Sequence, residues 1–267
     1  MIESVINISE GRRRDLVDDI AAAAGPDLLD VHTCAFHNRS VLTVVGDPAP
    51  RAIARRSMEL LDLTTHAGAH PRIGVVDVVP FIALDGTPPR DALAARDAFA
   101  RWAAEELSVP VFLYGPERTL PEIRRSAFTT LSPDHGPTQP HPTAGAIAVG
   151  CRPPLVAYNL WLVDPDLATA RRIAAELRSP AVRTLGLAVG DGVQVSMNLI
   201  DPDSVGPAEV FEAVGRRTSI ARAELVGLLP AAVLGRIDPG RWEQLDLAED
   251  RTIEHRLALR EQRRQKD

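Results

Sequence analysis

Cysteine is scarce in this chain of 267 residues, and its 30 basic residues are fewer than its 36 acidic ones. Two cysteines, Cys34 and Cys151, are too few for a disulfide framework or a four-thiolate zinc site, so we expect free thiols in a reducing cytoplasm. The net charge of −6 argues against nucleic acid as a partner, because phosphate binding needs a clustered positive excess.

Long apolar runs are also lacking. None approaches the roughly 20 residues that a membrane span needs. The first residues, MIESVINISEGRRRD, lack the basic and apolar regions of a secretory signal. We therefore expect a cytoplasmic protein with no membrane partner.

Strand-like and helix-like segments alternate along the chain, which predicts an α/β (α+β) fold. The second half follows the order β-α-β-β-α-β of a ferredoxin-like unit, and the first half begins in the same order. We expect two α/β sandwich subdomains over 1–150 and 151–240, followed by a charged tail over 241–267 that is a solvated helix or a frayed end.

Three local patterns carry structural expectations. Pro80 interrupts the strand Gly74–Leu84, which favours an edge position or a bend. Gly190-Asp191-Gly192 predicts a hairpin turn. The segment Ser132–Gly145 is rich in proline, so it is irregular; it is either a binding or lid element or a linker between domains.

The segment His66-Ala-Gly-Ala-His70-Pro-Arg72-Ile-Gly74-Val-Val-Asp77 is richest in chemistry. Histidine takes and returns a proton near neutral pH, and Arg72 can clamp a carboxylate with two hydrogen bonds. A single loop histidine is more often merely solvated. The spacing of His66 and His70 also allows a metal site, although no third ligand is evident nearby.

Two further clusters flank predicted strands. His32, His37, Asn38 and Arg39 lie between the second and third strands, where Asn38 has the alternative role of a simple turn former. Ser9 follows the first strand as a candidate N-cap of the next helix, whose first amides could instead bind an anion.

Taken together, several strings resemble glutamate formimidoyltransferases, both the stand-alone bacterial type and the N-terminal half of formimidoyltransferase-cyclodeaminase. The resemblance covers roughly Ile2 to Leu234, and its most specific part is His-x-Gly-x-His-Pro-Arg-x-Gly-x-x-Asp. The other strings are NISEGR, NRSVLTVVG, VPVFLYG, LPEIRR, PDHGP, GAIAVG, LVAYNLWL and QVSMNLIDP.

The resemblance implies a homodimer with a folate groove between the two sheets. It implies transfer of a formimidoyl group from N-formimidoyl-L-glutamate to N5 of tetrahydrofolate, a step of histidine degradation, without a metal. His70 is the implied acid/base. To substrate and folate binding we assign Asn7, His32, Asn38, Arg39, His66, Arg72, Gly74, Asp77, His135 and Gly136.

This chemistry suits the residues. One histidine can take the proton from N5 and return it to the leaving glutamate nitrogen. Glutamate carboxylates suit Arg39, Arg72 and Arg152 as clamps. We expect the proline-rich loop with His135 to cover the groove and exclude water.

The animal enzymes carry acidic residues at the positions of His32 and Ala69, although stand-alone bacterial relatives often have a histidine at the first of these positions. The bacterial relatives commonly carry an acidic residue at the position of Phe36. Asp77 or Asp30 could then supply the missing carboxylate. Three alternatives stay open: formyl transfer to or from tetrahydrofolate, a non-catalytic folate- or carboxylate-binding homologue, and a metallohydrolase. The metallohydrolase would use His32, His37, His66 and His70.

Overall fold

The computed structural model describes residues 1–68, 72–164 and 166–265. The chain forms two compact units, Met1–Pro153 and Pro154–Asp267. Each contains one β-sheet with helices, which confirms the predicted α/β class. Within the described ranges, no helix is long and apolar enough to cross a membrane.

The first unit contains a six-stranded sheet. Its strands are β1 (Ile2–Ile8), β2 (Leu28–Cys34), β3 (Arg39–Val45), β4 (Val76–Ala83), β5 (Val111–Tyr114) and β6 (Ile147–Cys151). The order is β2-β3-β1-β4-β6-β5. The first four are antiparallel neighbours in the ferredoxin-like arrangement, and β6 and β5 extend the sheet in parallel beside β4.

Successive side chains of a strand point to opposite faces of the sheet, and helices pack against the apolar ones. The helices are α1 (Arg14–Ala22), α2 (Pro48–Leu60), α3 (Pro89–Glu106) and α4 (Leu120–Ser126). The larger apolar cluster joins the sheet to α1, α2 and α3 through Ile6, Ile8, Ile20, Leu42, Ile53 and Phe99. A smaller cluster joins Phe112 and Ala148 to Ile123 of α4.

Pro80 lies in an interior strand, so the expected edge position was wrong. β4 is flanked by β1 and β6. The pairing with β1 passes from Ser4–Phe81 to Asn7–Val78, which leaves the ladder interrupted opposite the proline. The carbonyl of Pro80 instead accepts a hydrogen bond from Oγ of Ser4 at 2.8 Å. An interior proline is tolerated here because no ladder bond needs its missing N–H.

The proline-rich segment 132–145 connects α4 to β6, and both elements belong to the first unit. The linker interpretation was therefore wrong. Asp134 attaches the segment to β5, because its carboxylate accepts the N–H of Leu113 at 2.7 Å and a side-chain hydrogen bond from Arg118.

The second unit contains a four-stranded antiparallel sheet in the order β10-β7-β9-β8. Its strands are β7 (Val156–Leu162), β8 (Val182–Val189), β9 (Gly192–Leu199) and β10 (Ile220–Val226). Its helices are α5 (Leu167–Leu177), α6 (Pro207–Gly215), α7 (Ala231–Leu234) and α8 (Ile253–Arg264). The predicted hairpin joins β8 to β9, with Gly190 at a φ of 60°.

The C-terminal segment is anchored at the start of α8. The N–H of Ile253 donates to the carbonyl of Leu229 at 3.0 Å, and the Ile253 side chain is buried. The hydroxyl of Thr252 accepts the N–H of His255 and so caps the helix. Within the tail, Ile253–Arg264 form helix α8, and Leu245 and Leu247 before it are buried in the second unit.

Candidate active site

The candidate site lies at the end of the first sheet where β1 ends and β3 and β4 begin. β1 is antiparallel to both neighbours, so Asn7 near its end pairs with Val41 of β3 and Val78 of β4. The segments that precede β3 and β4, residues 35–38 and the described residues 66–68 and 72–75, therefore meet at the same end of the sheet.

Asn38 joins the two loops through its side-chain amide. Its Oδ1 accepts the N–H of Gly11 at 3.0 Å. Its Nδ2 lies 3.0 Å from the carbonyl oxygen of Ala67 and 3.2 Å from Nδ1 of His66. Asn38 has a φ of 48°, so it is also the turn residue of the alternative interpretation. The two roles coexist.

Gly68 permits the close approach of these loops. A β-carbon at this position would collide with the carbonyl oxygen of His37 and would press on the guanidinium of Arg72. The segment that carries His66 therefore lies directly between His37 and Arg72, and any larger residue would push it away.

Asp77 is a buried carboxylate, 2% exposed, that accepts three hydrogen bonds from the described residues. Nη2 and Nη1 of Arg124 donate to it at 2.5 and 3.2 Å, and the N–H of Ile73 donates at 2.8 Å. Asp77 thus attaches helix α4 to the loop that follows Arg72. The expectation that Asp77 serves as a carboxylate partner of His70 stays a prediction, and its described partners are Arg124 and Ile73.

Several guanidinium groups interact electrostatically with Asp77. Burial lowers the pKa of Arg39 to about 10, while Asp77 opposes the change and Arg124 adds to it. Burial also lowers the pKa of Arg72, again opposed by Asp77 and assisted by Arg124 and Arg12. Because a pKa of about 10 still leaves Arg39 protonated at neutral pH, Arg39, Arg72 and Arg124 form a group of positive charges near Asp77.

Ser9 does not cap α1, so that prediction was wrong. Its hydroxyl donates to the carbonyl of Gly74 at 2.8 Å. The amides of residues 11–13 all donate to Oε1 of Glu10, and helix α1 begins after them at Arg14. These amides are therefore occupied by a carboxylate of the chain itself and not by an external anion.

Burial of Glu10 raises the pKa of its carboxyl group. Hydrogen bonds from the backbone of Arg13 and Arg12 and from the Arg13 side chain outweigh that effect. The net result is a pKa below the ordinary value, which keeps Glu10 ionised at the base of the loop.

Three other predicted residues border this group. Gly74 forms a bridge with Gly145, in a space too small for a β-carbon. Oδ1 of Asn7 is buried and has no hydrogen-bond partner within the described chain. His32 lies on the outer strand β2, opposite Val41.

His135 and Gly136 lie elsewhere. The carbonyl of His135 accepts the N–H of Val111 on β5, and a β-carbon on Gly136 would meet Val109. Two strands separate β5 from β1, which places these residues roughly 14 Å along the sheet from the end of β1. The structure does not bring them to the Asn38 group.

The second half of the proline-rich segment 132–145 does approach the site. The N–H of Leu63 donates to the carbonyl of Thr143 at 2.7 Å, and the N–H groups of Thr143 and Ala144 donate to Nδ1 of His141. A cavity of about 350 Å³ opens beside it. Its walls are formed by Leu63, Thr64, Ile73, Arg124, Ala127, Phe128, Pro140, His141, Pro142 and Gly145.

Sequence reasoning missed Arg124 and His141. Arg124 is part of the string LPEIRR, which signalled the family but not a position next to Asp77. His141 lies between two prolines in the segment for which only His135 was selected. In both cases the missing information was a contact between segments distant in sequence.

Three residues of the motif, Ala69, His70 and Pro71, lie outside the described residues. Two other predicted positions take no part in these contacts. Phe36 is 56% exposed. Arg152 follows β6, at the opposite end of the sheet, where it donates to the carbonyl of Pro153. In the described ranges, no group of three or more His, Cys, Asp or Glu is placed to hold a metal ion.

Comparison with known proteins identifies relatives along the chain. Residues 1–152 match the family described as formiminotransferase domain, N-terminal subdomain. The glutamate formimidoyltransferase of Streptococcus pyogenes serotype M1 is 32% identical over 270 residues, covering 88% of this chain and 90% of that protein. The glutamate formimidoyltransferase of Thermoplasma acidophilum is 32% identical over 274 residues, with 88% and 89% covered.

A longer relative matches as well. The formimidoyltransferase-cyclodeaminase of Sus scrofa is 33% identical over 305 residues. The match covers 97% of this chain and 55% of that protein, so the chain spans a little over half of its length.

Proposed function

Because the chain belongs to the formiminotransferase family, we propose that it transfers a formimidoyl group from N-formimidoyl-L-glutamate to N5 of tetrahydrofolate. The observation that carries this proposal for the site is the group of guanidinium side chains, Arg39, Arg72 and Arg124, near Asp77. Guanidinium groups bind carboxylates, and N-formimidoyl-L-glutamate is a dicarboxylate.

The charges support this choice of ligand. Arg39, Arg72 and Arg124 all lie in the field of the carboxylate of Asp77, and Arg12 adds to the field at Arg72. Two opposite charges 4 Å apart attract by about 4 kcal/mol where the effective dielectric constant is near 20. A substrate carboxylate that enters this group therefore reduces the repulsion between neighbouring arginines and is itself attracted to them.

The reaction needs one proton moved between two nitrogens. A bond forms between N5 of the folate and the amidine carbon, and the bond between that carbon and the glutamate nitrogen breaks. N5 loses a proton and the glutamate nitrogen gains one. We propose His70 as the group that performs both transfers, a contribution of about 10²–10⁴ in rate.

Tetrahydrofolate is the co-substrate, and no metal is needed because proton transfer and charge pairing supply the chemistry. We further propose a cytoplasmic homodimer that acts in histidine degradation. Light scattering of the purified chain should give roughly twice its mass of 28.9 kDa, and a chelator should leave the rate unchanged.

The decisive test is turnover of tetrahydrofolate with N-formimidoyl-L-glutamate, read as acid conversion of the folate product to the methenyl form. The variants are His70→Ala and the control His255→Ala, which alters a histidine of α8 in the second unit. We expect product from the wild type and the control, and a loss of at least about 10² in rate for His70→Ala.

Other results would redirect the assignment. Product formed only from N-formyl-L-glutamate would identify a formyl transferase. Folate binding without any product would identify a binding protein. A full rate in His70→Ala would remove this histidine from the proton transfer.

A further inference from the structure

The side-chain amide of Asn38 has one possible orientation. Its Oδ1 faces the N–H of Gly11, and its Nδ2 faces the carbonyl of Ala67, both at 3.0 Å. A peptide N–H only donates and a carbonyl only accepts, so a flipped amide would set donor against donor and acceptor against acceptor. The second hydrogen of Nδ2 is then directed at Nδ1 of His66, 3.2 Å away.

This orientation determines the tautomer of His66. A ring nitrogen that accepts a hydrogen bond carries no proton, so Nδ1 is bare and the neutral ring has its proton on Nε2. Protonation of Nδ1 would break the bond and place two donors face to face. Asn38 therefore holds the ring neutral with Nε2–H as its donor.

Nε2 of His66 is buried and has no hydrogen-bond partner among the residues that the structure describes. Buried polar groups in folded proteins are nearly always paired. Asn38 fixes the ring through Nδ1, and the Nε2–H group has no described partner. This N–H group is therefore suited to donate to an acceptor atom of a ligand.

We propose that His66 is a neutral donor that binds a carboxylate oxygen of the substrate through Nε2–H, and that Asn38 is the positioning residue that sets this tautomer. The identity of the ligand rests on the proposed function. The type of ligand atom follows from the nearby guanidinium groups. Gly68 lies against the guanidinium of Arg72, and Arg39 directly follows Asn38. Guanidinium and imidazole N–H groups are both hydrogen-bond donors, so a ligand atom that contacts both must be an acceptor. An anionic oxygen can accept from both groups.

The two histidines of the motif then have different tasks. His66, held neutral, binds and does not carry the transferred proton. That task stays with His70, the acid/base of the proposed function.

The tautomer can be measured in the ligand-free, full-length protein by NMR with ¹⁵N-labelled histidine. The signals of His66 are identified by their loss in His66→Gln. We expect the proton on Nε2 in the wild type. In Asn38→Asp the carboxylate can still accept from Gly11 but cannot donate to His66, and aspartate tolerates the positive φ, so Nδ1 should gain a proton. A proton on Nδ1 in the wild type overturns the proposal.

A second pair of variants tests the ligand bond even if Asn38→Asp does not fold. His66→Gln keeps an amide N–H near the position of Nε2, whereas His66→Leu keeps bulk alone. We expect His66→Leu to raise the KM for N-formimidoyl-L-glutamate and the Kd for L-glutamate by about 10- to 100-fold, with kcat little changed. His66→Gln should stay within about threefold of the wild type.

The outcomes separate this proposal from the proposed function. Equal losses in the two His66 variants, or a loss in kcat alone, overturn the donor role. L-glutamate binding without turnover in the wild type overturns the formimidoyl transfer, while the tautomer and the Kd values still decide the role of His66. Failure of the wild type to bind L-glutamate overturns the carboxylate assignment.

Discussion

The carboxylate of Asp77 receives both terminal nitrogens of Arg124, at 2.5 and 3.2 Å, and so connects the start of β4 to helix α4. The same carboxylate accepts the N–H of Ile73. One buried side chain thereby fixes the end of the loop that carries Arg72 and balances part of the charge around it.

Asp77→Asn should strongly destabilise the protein. The change leaves the largely buried guanidinium of Arg124 without its counter-charge, and breaking a buried pair typically costs about 3–5 kcal/mol. The free energy of unfolding is measured by denaturant titration. The matched control is Asp19→Asn, which breaks an exposed pair with Arg56 and should cost far less. Equal costs would show that the Asp77 pair behaves like a surface pair.

Glu10→Gln should reduce stability at neutral pH by about 1.5–3 kcal/mol, because Gln binds the amides of residues 11–13 without a charge. The pKa of Glu10 is lowered in the folded state. Its contribution is thus present above the unfolded-state pKa of about 4.3 and is lost as the pH falls through the folded-state pKa.

Thermal unfolding of wild type and Glu10→Gln from pH 7 to pH 3 measures this difference. The two melting temperatures should converge at the acid end of the range. A difference that stays constant over the range would mean that the ionisation of Glu10 contributes nothing to stability.

Gly68→Ala should lower kcat/KM by about 10²-fold, because the new methyl group displaces the His66 segment from His37, and displacements near 1 Å cost about that much. The control is Gly235→Ala, whose β-carbon would meet its nearest atom at an ordinary 3.4 Å. Steady-state kinetics with both substrates measure the effect. Unchanged kinetics in Gly68→Ala would show that the position of the segment does not matter for turnover.

Arg39→Gln should raise the KM for N-formimidoyl-L-glutamate by about 10- to 100-fold, since a charged partner of a substrate carboxylate is removed. Arg56→Gln, on the exposed face of α2, is the control. The wild-type KM should also rise with ionic strength, and less steeply in Arg39→Gln, because screening acts on a smaller charge. A KM that does not depend on salt in the wild type would argue against the arginine group as the carboxylate site.

His141 lines the cavity and was not selected from the sequence. His141→Ala removes the acceptor of the N–H groups of Thr143 and Ala144, so the loop beside β6 should loosen. Hydrogen exchange at these two amides should increase severalfold relative to wild type, as expected for local opening. His135→Ala is a control, because its side chain lies in the half of the loop fixed to β5 through the main chain. Similar exchange in both variants would remove His141 from this role.

Local patterns in the sequence were sufficient for the elements and their grouping. Alternating and helical periodicity predicted most strands and helices, and the repeated β-α-β-β-α-β order predicted two sheets. Ser9 and Pro80 show where this reasoning stopped. A serine after a strand is typical of a helix N-cap, and a proline within a strand is typical of an edge strand. Only the neighbouring strand and loop show that Ser9 and Pro80 have other positions.

The sequence by itself determined the residue types of the site, the class of the fold and the family, because these depend on composition, periodicity and strings of adjacent residues. Only the tertiary structure decided which of those residues meet. It joined Asn38 to His66 and Asp77 to Arg124, and it separated His135 from the Asn38 group. Such contacts depend on strand order and register, which follow from packing of the whole chain and not from any single segment.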